Sequence, residues 1–151
     1  MCQRQYYLID LPVAPYSSET RLIVTTASPK PIRENVERFA RYFLREMHFG
    51  GLQFEAGETP ESLGFKRYKA YLFAAQDHYV GAVCFRYRDD QNRVVPWLFD
   101  WMWIHPYFRH QGILSRAWPE FVREIGQFRL AQPVSPHMEQ FLRKIGWCEV
   151  P

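Results

Sequence analysis

Six short apolar or β-branched runs and three stretches of helical period account for most of this chain. Residues 6–11 and 21–26 read as strands, separated by the turn-rich segment PVAPYSSE. Ser28-Pro29 opens a helix in which Val36, Phe39, Ala40, Phe43, Leu44 and Met47 recur at helical spacing until Gly50-Gly51 stops the pattern. Its other side carries Arg33, Glu37, Arg41 and Arg45, a mixed-sign row that reads first as a solvated face. Residues 52–65, with Gly57, Pro60 and Gly64, read as a loop or a short helix. Three strand-like runs follow, at 68–75, 79–87 and 94–104. The turns between them, 76–78 and 89–92, are short enough for an antiparallel meander.

After Pro106 the period changes again. Ile113, Leu114, Ala117, Trp118, Phe121, Val122 and Ile125 share a helical face that ends near Gly126, with Pro119 inside the helix at the cost of a hydrogen bond. Residues 128–132 form a short strand. Ser135 caps a last helix whose Met138, Phe141, Leu142 and Ile145 lie together and which Gly146 closes. Runs of strands interleaved with helices, with no internal repeat, give one α/β (α+β) domain over residues 1–151.

Composition narrows the class. Of 151 residues, 47% are hydrophobic and 23% charged, which excludes a disordered or fibrous chain, and the twelve Phe, nine Tyr and five Trp supply a dense core. A net charge of +3 is too small to announce a nucleic-acid protein. Fifteen of the nineteen basic residues are Arg, however, the side chain that grips phosphate or carboxylate bidentately. Nucleic acid is therefore kept as a less favoured partner. Three widely spaced cysteines without a CxxC pair argue for a reducing, cytoplasmic setting. No run is long enough to span a membrane, and the start has no export signal, so no membrane partner is expected. His48, His78, His105, His110 and His137 never adopt HxxxH or HExxH spacing, and no metal is expected. Cys84, in the apolar run GAVCF, reads as a core residue, and Trp97, Trp101 and Trp103 alternate as packing on one face. Arg86 and Arg88 stand beside Asp89 and Asp90, for which local pairing is the first reading.

The chemistry concentrates in residues 101–115. A strand runs into a proline-marked turn, then a loop with Arg109 and Gly112, then a helix. Such a junction offers free N–H groups at a positive helix end, and glycine lets a phosphate approach the backbone. Ile104-His105-Pro106 followed by Arg109-His110-Gln111-Gly112-Ile113-Leu114 resembles the V-x-P and R/Q-x-x-G-x-G/A segments of the GNAT superfamily of acetyl-CoA-dependent N-acetyltransferases. SPHMEQFLRKIGW, residues 135–147, is similar in register to that family's N-x-x-A-x-x-L-Y-x-K-x-G-F pattern. Together the two segments extend the resemblance over residues 68–147.

The resemblance implies a mixed, mostly antiparallel sheet flanked by helices, with a shortened C-terminal end. It implies an acceptor-side part over residues 1–67 and an acetyl-CoA-binding part over 68–147. Backbone groups of Met102, Trp103 and Ile104 would line the pantetheine, and Arg109, His110, Gln111, Gly112, Ile113 and Leu114 would hold the diphosphate. The implied reaction is direct attack of an amine, on a small molecule, a protein or an aminoacyl group, on the thioester. Asp100 is the first candidate for the base, on the same strand face as Met102. Leu114 stands where Gly or Ala is usual, and Leu142 where many members carry the tyrosine that protonates the departing thiolate. Ser135 and Tyr107 are the substitutes, Ser135 reading first as a helix cap and Tyr107 as a turn aromatic. The alternative is a module that binds acyl-CoA or nucleic acid without turnover. With only residues 148–151 beyond Trp147, the strand at 128–132 is expected to need a cover, from residues 6–11 or from the second subunit of a homodimer.

Overall fold

The computed structural model describes residues 11–14, 21–47, 54, 56, 67–88, 95–131 and 134–147. Strand β1 (Arg21–Val24) leads to helix α1 (Lys30–Met47), and the meander β2 (Tyr68–Ala75), β3 (His78–Tyr87) and β4 (Trp97–Ile104) follows. A single 3₁₀ turn (Pro106–Phe108) precedes helix α2 (Ile113–Ile125), then β5 (Arg129–Leu130) and α3 (Pro136–Ile145). The sheet runs β1-β2-β3-β4-β5 in space, antiparallel throughout except for the parallel pair β4–β5. The expected mixed sheet is therefore present. The strand expected at 6–11 lies outside the described residues apart from Leu11, and so do most of 52–65 and the turn 89–92.

Strands β2 and β3 read as nearly continuous apolar runs because both sheet faces are covered. Their side chains separate with period two. Ala70, Leu72, Ala82 and Cys84 join Val36, Phe39 and Ala40 of α1 in one core layer. Tyr71, Phe73, Val83 and Phe85 face the other way, onto Ala117, Trp118 and Phe121 of α2 and Leu142 of α3. Burial pushes the Cys84 thiol up to about 12, as suits a core residue and not a nucleophile.

The mixed-sign row on α1 has work beyond solvation. Arg33 donates to the carbonyls of Ser28 and Ala56, while Glu37 accepts from the Ala56 N–H at 2.9 Å and from Arg41 at 3.4 Å. Those contacts hold residue 56 against the helix. Helix α2 continues through Pro119 to Ile125. Ser135 Oγ accepts the Met138 N–H at 3.2 Å, and Gly146, at φ +71°, returns its N–H to the last carbonyls of α3.

One departure matters for function. Cys84 pairs with Trp101 and Phe85 with Phe99, so consecutive residues of β3 face residues two apart on β4, and Asp100 is the extra residue of a β-bulge. The bulge changes the phase of the strand. Trp97 and Phe99 pack in the α2 layer, whereas Trp101 and Trp103 pack in the α1 layer against Phe39, Tyr42 and Phe43. The reading of three tryptophans on one face is thus corrected: Trp97 lies on the opposite side.

Candidate active site

Hydrogen-bond direction along β4 decides which backbone groups are available to a ligand. His105 N–H donates to Val80 O at 2.7 Å, and Gly81 is so close to the Trp103 carbonyl that a Cβ there would sit 2.6 Å from it. The backbone of Trp103 therefore faces β3, and by alternation Met102 and Ile104 turn their N–H and C=O groups to the other edge. On that edge β5 pairs only with Leu98 and Phe99, where Ala131 N–H meets Phe99 O at 2.9 Å. Past the bulge, among the described residues, no strand pairs with β4 on this side. Of the three residues expected to line a pantetheine arm, Met102 and Ile104 turn their backbone groups to this open edge, while the polar backbone of Trp103 is spent within the sheet.

The edge leads into the loop before α2. His110 has φ +62° and Gly112 φ +82°, two left-handed residues that wind the backbone around the start of the helix. Gly112 is the N-cap and has no side chain to satisfy the first-turn donors, and that turn carries no acid. Arg116 N–H already bonds Gly112 O at 3.0 Å, and the Arg116 guanidinium arches back to Gln111 O, also at 3.0 Å. A Cβ on Gly112 would meet that guanidinium at 2.9 Å. Gln111 braces the loop by donating to Tyr107 O, and the His110 ring stands 6.1 Å from His137 on α3. Leu114, half-buried, packs into the α2 core layer, which accounts for a large residue at that position.

Arg109 departs from expectation. Its Nε donates to Ile104 O at 2.6 Å, one NH2 group lies 2.8 and 3.0 Å from the two carboxylate oxygens of Glu46 on α1, and the guanidinium covers the Trp103 ring at 5.7 Å. The side chain thus points to the α1 side of the sheet. Glu46 was not singled out in the sequence, because nothing local signals a contact across 63 residues.

Asp100 also moves. It pairs with Arg86 at 3.0 Å, both side chains being less than one-fifth exposed. Arg86 follows Phe85 in β3 and shares the Cys84 side, so Asp100 faces the α1 layer while Met102 packs toward α2. The expectation that they share a face is overturned by the bulge. Asp100 is thus one partner of Arg86, while the pairing expected with Asp89 and Asp90 falls on residues outside those described. Beside this pair, the indole N–H groups of Trp101 and Trp103 are buried with no partner among the described residues. Tyr107 is 45% exposed, Ser135 is the α3 cap, and Leu142 is buried in the α2 layer. Among the described residues no cluster of three or more His, Cys, Asp or Glu could hold a metal ion, and no helix is long and apolar enough to cross a membrane.

No family model and no curated protein matches this sequence. Solved structures do. The xEco2 acetyltransferase domain, solved with a CoA conjugate, aligns with a TM-score of 0.60 at 13% identity, over 82% of this chain and 85% of that one. A ribosomal-protein-alanine N-acetyltransferase from Brucella melitensis biovar Abortus 2308 gives 0.59 at 15% identity, over 88% and 95%. An aminoglycoside acetyltransferase from an uncultured soil metagenomic sample, in complex with sisomicin, gives 0.58 at 14%, over 90% and 94%. At these identities the likeness is one of fold: the five-stranded mixed sheet and its flanking helices are arranged in this chain as in these acetyltransferase structures.

Proposed function

We propose that this chain is an N-acetyltransferase that transfers an acetyl group from acetyl-CoA to an amine acceptor. The observation that carries the reading is one continuous path: a backbone edge at Met102 and Ile104 that no strand among the described residues pairs with, leading to a glycine-capped helix start at Gly112. The pantetheine arm is a string of amides, and an unpaired strand edge is the surface that pairs with amides. A diphosphate needs bare N–H groups, which the start of α2 at Gly112, Ile113 and Leu114 offers with the Arg116 guanidinium beside the glycine. The order fits as well, since the edge comes before the cap in the chain, as the arm comes before the diphosphate counted from the sulfur.

Acetyl-CoA bound there supplies an acetyl group activated as a thioester. The chain's residues supply the rest. Met102 N–H, on the open edge, is the donor available to the thioester oxygen as charge develops on it. Asp100, on the far side of the bulge, faces the α1 layer, so the acceptor amine approaches from that side and passes its proton to the carboxylate. Nitrogen–carbon bond formation and carbon–sulfur bond cleavage leave a thiolate, for which Leu142 offers no proton. Ser135, whose oxygen accepts the Met138 N–H, keeps a hydroxyl that can donate a hydrogen bond to the thiolate, and the proton the sulfur takes up comes from solvent.

A second reading, a CoA-binding module without turnover, is favoured by the apolar Leu142 and by the engagement of Asp100 with Arg86. Thiol release from acetyl-CoA over a panel of amines separates the two. Release with at least one acceptor is expected; saturable CoA binding with no release on any would establish the module. Asp100→Asn is expected to lower turnover about 100-fold at neutral pH while sparing CoA affinity, as for loss of a general base. A pH–rate profile that coincides with wild type would show that Asp100 only anchors Arg86.

A further inference from the structure

Arg109 is the first residue of the loop that reaches the Gly112 cap, yet its guanidinium is held on the opposite side of β4 by a carboxylate. Nothing in the fold demands this. Nε has Ile104 O and the plane has the Trp103 ring, so among the described residues the charged partner is Glu46, at the C-terminal end of α1. The pair is on the surface: the Arg109 side chain is 33% exposed and that of Glu46 42%. An exposed pair of this kind shifts an equilibrium at most about 5-fold, whereas an arginine fork on a phosphate is among the stronger charge-assisted contacts. Ile104 O, which Nε now occupies, is also one of the open-edge acceptors toward which the pantetheine would run. Two anions, one resident and one brought by the cofactor, therefore bear on one guanidinium, and the magnitudes favour the newcomer.

We propose that Glu46 is a positioning residue that holds Arg109 off the cofactor cradle, and that CoA binding transfers the guanidinium from the Glu46 carboxylate to the diphosphate, freeing the Ile104 carbonyl as it goes. This rests on the CoA reading above. Glu46 then sets the affinity for the cofactor without touching it, because part of each binding event is spent on breaking the Glu46–Arg109 pair. It also links the two substrate sides, since α1 packs on Trp101 and Trp103 and its last turn is released when Arg109 leaves.

The test is calorimetric titration of the full chain with CoA for wild type, Glu46→Gln, Glu46→Asp, Arg109→Ala and the double variant Glu46→Gln/Arg109→Ala. Removing the competing carboxylate is expected to tighten CoA binding about 2- to 5-fold, the size of one exposed ion pair given up. Glu46→Asp, which keeps the charge, should return toward wild type. Arg109→Ala should bind about 10-fold more weakly than wild type, the loss of one charge-assisted phosphate contact. The double variant should match Arg109→Ala, because without the guanidinium Glu46 has nothing to withhold. Equal Kd for wild type and Glu46→Gln, or tightening that persists in the Arg109→Ala background, would overturn the exchange while leaving the cofactor site in place. Absence of CoA binding by every form would overturn the cofactor reading, and the exchange with it.

Discussion

Replacing Gly112 by glutamate is expected to reduce CoA affinity at least about 100-fold while the fold persists, through two effects that act at one atom. The backbone at this position is left-handed, φ +82°, where a β-carbon is strained, and that carbon would stand 2.9 Å from the Arg116 guanidinium. Strain alone is tolerable. A left-handed non-glycine residue costs about 1–2 kcal/mol, and a flexible arginine tip can move aside. The carboxylate is the larger effect, because it brings a negative charge to the helix start where a diphosphate would sit and offers the bare first-turn N–H groups an internal acceptor. Gly112→Ala separates the two and should lose no more than about 10-fold, its share being the strain alone. Circular dichroism establishes that both variants are folded, and titration with CoA reads the affinities. A glutamate variant that binds as wild type would remove the cradle.

The second large effect is on stability. Phe121 is fully buried, and its ring lies 4.9 Å from Tyr71, 5.1 Å from Phe85 and 5.9 Å from Trp118. It is the side chain through which α2 meets the centre of the sheet, so it sets where the helix start is held relative to β4. Phe121→Ala is expected to cost about 3–5 kcal/mol, the sum of lost apolar burial and an aromatic-sized cavity that rigid neighbours cannot close. Denaturant unfolding monitored by tryptophan fluorescence measures it. A loss below about 1 kcal/mol would mean that α2 does not pack as described.

Much of this could be read from residue patterns, and the reasons differ by element. The helices were legible because burial on one side imposes a 3.6-residue period that α1, α2 and α3 keep, and because Ser135 and Gly146 cap α3 as their chemistry suggests. The meander was legible from runs and turns, and the loop from Arg109 to Gly112 from its motif. The bulge at Asp100 was not. WLFDWMWI alternates without a visible break, and an extra residue exists only relative to a partner strand, so the sequence of β4 alone placed Trp97 with Trp101 and Asp100 with Met102. Partner choice was equally hidden. Arg86 takes Asp100 across the sheet and Arg109 takes Glu46 from another element, contacts made by tertiary placement that proximity in sequence does not announce. The acceptor side remains the least legible part of the site: its motif content is low, and residues 57–66 lie outside the described structure.

In the proposed function, the open edge of β4 and the Gly112 cap together form a CoA site. Calorimetric titration of the purified chain with acetyl-CoA tests it most directly. Saturable one-to-one binding is expected, with a Kd on the order of 10 μM, within the range in which enzymes hold such substrates, and it should be lost in Gly112→Glu. Absence of binding heat at about 1 mM acetyl-CoA, or binding that Gly112→Glu leaves unchanged, would contradict it.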